Sequence, residues 1–159
     1  MATKKVEMQR VIHKYKQETG KKEINMHDVA KFAVKIGWPL PKPVDLFELL
    51  SKEFSQAARD EYRKDKETGN QYRANHAFTV THGKQQLTLW VDIDEAPRPH
   101  MVKALVQRRE QTVGDVLQMH FDAEHWNNIH PKDEPIVVPT DYTEDVTWRV
   151  NAPKEKETA

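Results

Sequence analysis

The sequence predicts an α+β fold: a three-helix core, a β-hairpin and then a long helix. Three observations carry that prediction. Apolar residues recur at i, i+3, i+4 and i+7 in the early segments, the period of a helix buried along one side. Between Arg73 and Asp94 the period drops to two, the mark of a half-buried strand. After the prolines at 97 and 99 the helical period returns and continues to about Asn127.

The first helix is expected from about Lys4 to Glu18, with Met8, Val11, Ile12 and Tyr15 on its buried side and Gly20 ending it. "KKEIN" is short enough to be an edge strand or a connection. Asn25 then reads as an N-cap, with Asp28 in the position of a capping-box acid. Val29, Phe32, Ala33 and Ile36 repeat the helical spacing, and Gly37 stops the second helix. "WPLPKP" cannot be helical, because each proline forces extended backbone on its predecessor.

Asp45 and Glu48 form a second capping-box pattern, opening a helix expected to reach about Lys64. Phe47, Leu50, Phe54 and Ala58 would be its core stripe, and "DKETGNQ" the loop after it. In the hairpin, Leu87, Leu89, Val91 and Ile93 alternate opposite Phe78 and Val80, with the turn near His82, Gly83 and Lys84. "DEAPRPHM" starts the long helix, with Asp94 as its expected cap and prolines only in the first turn. Met101, Leu105, Val113, Val116 and Met119 share one side of it. Arg109 falls on that side too, to pair with a buried acid, to face a partner or, as the default reading, to mark a kink before Gly114. "PIVVP" is a candidate short strand, and "VNAPKEKETA" reads as a disordered tail. The expected divisions are 1–95, a winged-helix-like domain; 96–131, a long helix for packing or dimerisation; and 132–159, an acidic extension and tail.

The chain has no cysteine, which excludes disulfides, thiolate metal sites and a cysteine nucleophile. No stretch approaches the roughly 18 apolar residues of a membrane span. The start, MATKKVEMQR, has no apolar signal core, so a cytoplasmic protein is expected. Zero net charge conceals a gradient. Residues 1–35 carry nine Lys and Arg against four acids, and from His120 onward four bases face nine acids. The basic front suits nucleic acid, and the two ends attract each other within a chain or between subunits.

Helix, short strand, helix, helix and hairpin, across residues 4 to 93, is an order that resembles the winged helix-turn-helix superfold. Here the third helix is long and its first turn acidic (Asp45, Glu48), and the loop before it holds three prolines. The resemblance implies a recognition helix and a wing. On a 100° helical wheel, Lys52, Gln56, Arg59 and Arg63 line the outer face of the third helix. Arg and Gln read base edges, and Lys and Arg grip phosphate. Arg73, His76, His82 and Lys84 lie on the hairpin, the last two at the wing tip. The candidate DNA-binding set is Lys52, Gln56, Arg59, Arg63, Arg73, His82 and Lys84. The expected partner is duplex DNA, bound by a homodimer that supplies two half-sites. The alternative is a protein-binding adaptor on the same domain, with Leu49, Trp38 and Trp90 as interface anchors.

The densest set of potential metal ligands is "HFDAEHWNNIHP", residues 120–131. On a helix His120 and Glu124 share a face, but His125 points about 140° away from His120. A catalytic zinc needs three protein ligands, and one face offers two. The segment therefore reads as a helix terminus, capped by Asn127 or Asn128 and stopped by Pro131. Asp92, Asp94 and Glu95 are a second acidic cluster. Phosphate-binding glycine loops and a nucleophile-elbow motif are missing. No enzymatic activity, metal or cofactor is expected.

Overall fold

The computed structural model describes residues 2–153, and the chain has the expected α+β class. Five helices and two antiparallel hairpins lie among the described residues. The chain divides into two compact units, Met1–Lys52 and Glu53–Ala159.

In the first unit, α1 spans Lys4–Thr19 and α2 spans Met26–Lys35. The Thr3 hydroxyl accepts from the Val6 N–H at the start of α1. Gly20 ends it with φ of 67°, and its N–H donates to the Lys16 carbonyl. Asn25 caps α2 as expected, its Oδ1 accepting from the His27 N–H at 2.8 Å. Tyr15, Val29 and Ala33 are buried between the helices, with Tyr15 edge-on to Phe32 at 5.4 Å. "KKEIN" is a connection, and residues 38–45 are non-helical, as the prolines require.

Helix α3, Leu46–Asp60, crosses from the first unit into the second. Asp45 caps it by accepting from the Phe47 N–H at 2.9 Å. Two expectations fail here. The helix ends at Asp60, not near Lys64, because distant residues take over carbonyls in its last turn and just past it. The Asn75 amide donates to the Ala58 carbonyl, and the Ala74 N–H donates to the Glu61 carbonyl. The stripe of Phe47, Leu50 and Phe54 is exposed and is not core. Amphipathic spacing identifies a face that can be buried, but not what will cover it.

The second unit continues with β1 (Tyr62–Lys64), β2 (Gln71–Arg73), β3 (Asn75–His82) and β4 (Gln85–Asp92). β1 pairs with β2 around a turn at 65–70 that the Asp65 carboxylate organises by accepting from the Glu67 and Thr68 N–H groups. β3 pairs with β4 in the register Phe78↔Leu89 and His82↔Gln85. Gly83 takes the positive φ that this two-residue turn demands, at 62°. Fully buried Ala74 joins the hairpins: its N–H bonds to Glu61, and its carbonyl accepts from Ile93.

Helix α4 runs unbroken from Arg98 to Ile129. Asp94 does not cap it; Pro97 holds the N-cap position without a side-chain bond. Nor does Arg109 face the core: it is exposed beside Glu110. Ala104 is buried where α4 meets β3. One turn on, the Gln107 amide donates to the Thr79 carbonyl at 3.1 Å and accepts from the Thr79 N–H at 2.8 Å. This amide closes part of the free edge of β3 in place of another strand. "PIVVP" forms no strand. Asn127 pins it by the same device, bonding both the N–H and the carbonyl of Ile136. Helix α5, Thr143–Asn151, was not expected, and it takes in Val150 and Asn151 from the supposed tail. Lys154 to Ala159 lie outside the described residues.

Candidate nucleic-acid interface

The site lies on the second unit, on the hairpin face that carries Ala77, Thr79, Thr88 and Trp90. Register places Ala77 opposite Trp90 and Thr79 opposite Thr88, so these four share a face. α3 approaches this face through Arg59, whose guanidinium lies 5.4 Å from the centre of the Trp90 ring. α4 forms the other wall with Gln107, Arg108 and Gln111. Between them is a groove of about 300 Å³, lined also by Arg73 and His76.

Three arginines line this groove and no carboxylate does. Arg59 rests on Trp90, and Arg73 bonds the Tyr62 hydroxyl at 3.1 Å and lies over its ring. None of Arg59, Arg73 and Arg108 is ion-paired with an acid among the described residues. Their charges are thus available to an anion. Buried His76 is spoken for: its Nε2 lies 3.0 Å from the Arg73 carbonyl, a donor position that fixes the backbone under the groove.

The residues singled out in the sequence separate into three groups. Arg59 and Arg73 line the groove, and His82 and Lys84 sit at the hairpin tip, exposed. Lys52 and Gln56 are on α3, paired with acids one turn away: Lys52 with Glu48 at 3.4 Å, Gln56 with both oxygens of Asp60. Such exposed pairs are weak and exchange readily. Arg63 does not continue the α3 stripe, because it lies on β1. It forms two parallel bonds to Asp92 at 2.8 Å, a third to Asp94 at 2.7 Å and a fourth to Glu61 at 3.1 Å.

That clamp changes the acids around it. The Arg63 hydrogen bonds, helped by the Asp94 N–H, hold Asp92 below its ordinary carboxylate range. Glu61 is also lowered, first by the Asn75 amide and then by Arg63. Burial, and then its bond to Asp94, raises the Tyr72 hydroxyl. Arg63 is held more firmly protonated, chiefly by Asp92. Asp92 and Asp94 are thus structural counter-charges.

Arg108 and Gln111 were missed. The signal was present, as an i, i+3 pair beside Gln107, but choosing that face of α4 required knowing which side meets β3. The histidines of residues 120–131 do not converge. His130 stacks on Trp126 at 4.4 Å and bonds its carbonyl, and His120 lies against Phe121. Among the described residues no three His, Asp or Glu side chains gather as a metal site would require. No helix among those residues is long and apolar enough to cross a membrane. No family model matches this chain, and no curated protein or solved structure matches it closely enough to indicate kinship.

Proposed function

We propose that the protein binds duplex DNA through the hairpin wing and the arginine-lined groove beside it, and that it does so as a homodimer. The observation that carries this reading is the set Arg59, Arg73 and Arg108 around Trp90, with no acid lining the same groove. A concave surface with three uncompensated guanidinium groups favours phosphate over any neutral ligand. Lys84 and His82 extend the basic surface to the tip. Arg63 acts at one remove, by fixing the junction of the two hairpins. The exposed Leu105, Val113 and Met119 on α4 support the dimer, as an apolar face suited to a second copy.

Electrophoretic retardation of random duplexes tests the reading. Arg59→Ala/Arg108→Ala is expected to weaken binding by a similar factor for every sequence, since these groups contact phosphate. Affinity is expected to fall by orders of magnitude between roughly 50 and 200 mM salt. Absence of retardation at low salt rejects the reading.

A second reading, a protein-binding adaptor, is favoured by a different feature. In the first unit, Met8, Val11, Val29, Ala33, Trp38 and Leu40 line an apolar groove of about 750 Å³. Binding that persists at high salt, and that Leu40→Glu abolishes, would favour it over DNA.

A further inference from the structure

A duplex can lie against the arginines that line this groove but cannot enter it. At about 300 Å³ the groove lies at the low end of pockets that enclose a single small molecule. A duplex is a rod that receives protein elements into its own grooves, the wider about 12 Å across. Arg59 and Arg108 both line the protein's groove, so its contents would meet two guanidinium groups. Building on the DNA-binding reading above, we infer that this groove holds a single unpaired nucleotide, so that the preferred ligand is a duplex with a single-stranded end.

Each part of a nucleotide has a counterpart. Trp90 is half-buried in the groove and supplies a flat aromatic face, on which any base stacks. Arg59 covers that face in the free protein. When a base takes the indole, the Arg59 guanidinium turns to the attached phosphate, where Arg73 and Arg108 meet it from the other walls. The Gln107 amide is committed to Thr79, so Gln111 is the side-chain amide left for a base edge. Stacking on Trp90 tolerates any sequence, because every base presents the same kind of face.

The position of the wing fits this division. Trp90 is paired with Ala77, and the hairpin closes at His82↔Gln85, five residues further along β3. At about 3.4 Å per residue the tip is roughly 17 Å from Trp90. Base pairs are spaced about 3.4 Å along a duplex strand, so this is about five steps. A tip resting on duplex backbone leaves room for about five base steps between it and an unpaired nucleotide in the groove.

Fluorescence anisotropy of the full-length protein decides the matter. The probes are one labelled blunt duplex and the same duplex with a five-nucleotide 5′ or 3′ overhang, at equal ionic strength. One overhang form is expected to bind on the order of 10-fold more tightly than the blunt form, the scale of one stacked base. Trp90→Ala is expected to bring that ratio to one, and Trp90→Phe, which keeps a stacking face, to retain most of it. If Trp90→Ala does not fold, Arg108→Gln at the rim is expected to lower the same ratio. Equal binding of blunt and overhang forms overturns the inference and leaves duplex binding intact. So does a preference unchanged in both Trp90→Ala and Arg108→Gln. Failure of every probe to bind at low salt overturns the reading beneath it.

Discussion

Arg63 holds four oxygens of three acids, and those acids come from both ends of the double hairpin. Its effect on stability is best seen through pH. Asp92 and Glu61 have folded-state affinities for protons below their ordinary values, so the unfolded chain binds protons more readily than the native one. Their contribution is complete above the ordinary carboxylate range and is lost as pH falls toward the lowered values. The thermal midpoint is thus expected to drop between about pH 5 and about pH 3. In Arg63→Met the midpoint at neutral pH is lower and the acid drop shallower, as scanning calorimetry across that range would register. A midpoint profile parallel to that of the native protein would rule out this role. Gln107 is the second position where one side chain supports many. Removing its amide leaves a donor and an acceptor of Thr79 unpaired, at a cost of about 1–2 kcal/mol. Gln107→Glu keeps an acceptor for the Thr79 N–H and removes only the donor to its carbonyl, so it is expected to cost less than Gln107→Ala. Faster amide exchange along Asn75–His82 is the direct readout.

Most elements are bounded by short-range chemistry, and α3 is ended by longer-range partners. The β3–β4 hairpin depends on Gly83, whose φ of 62° costs other residues about 1–2 kcal/mol. A Cβ there would meet nothing within 4 Å, so Gly83→Ala tests the backbone term alone. Its unfolding midpoint in urea is expected to fall accordingly, with Gly83→Asn less affected because Asn tolerates that conformation. α3 presents the opposite case. Its start was legible in Asp45, whose cap is local. Its end was not, since Asn75, whose amide donates to the Ala58 carbonyl, and Ala74, whose N–H donates to the Glu61 carbonyl just past the helix, lie more than a dozen residues away. The wheel that placed Arg63 beside Arg59 continued a helix past its true end. α5 was overlooked although its sequence carries the signs: Asp141 accepts from the Thr143 N–H, Glu144 and Asp145 fill the first turn, and Arg149 is in the last. α4 was legible almost throughout, because its apolar spacing and its proline start are local features.

For the molecule as a whole, the prediction concerns assembly. Leu105 and Val113 are about half exposed on a helix of 32 residues, and they would be covered in a dimer. Light scattering of the native protein is expected to give twice the 18.6 kDa chain mass, and Leu105→Glu/Val113→Glu to return it to a monomer. A monomeric native protein at high micromolar concentration would remove α4 as the dimer face. If the dimer also presents two wings to one duplex, the same double variant weakens DNA binding by lowering the effective concentration of the second wing.

The sequence by itself determined the α+β class, the caps at Asn25 and Asp45, the exclusion of helix from the proline segment, the turn at Gly83 and the long fourth helix. All of these follow from interactions within a few residues, or from a period that a single element displays. Only the tertiary structure decided that Tyr62–Lys64 is a strand, that Arg63 faces inward to Asp92, Asp94 and Glu61, and that Arg108 joins Arg59 and Arg73 around Trp90. Those outcomes depend on which elements come side by side. A guanidinium reads alike in sequence whether it meets carboxylates or open solvent, and its role follows from the charges that folding places around it.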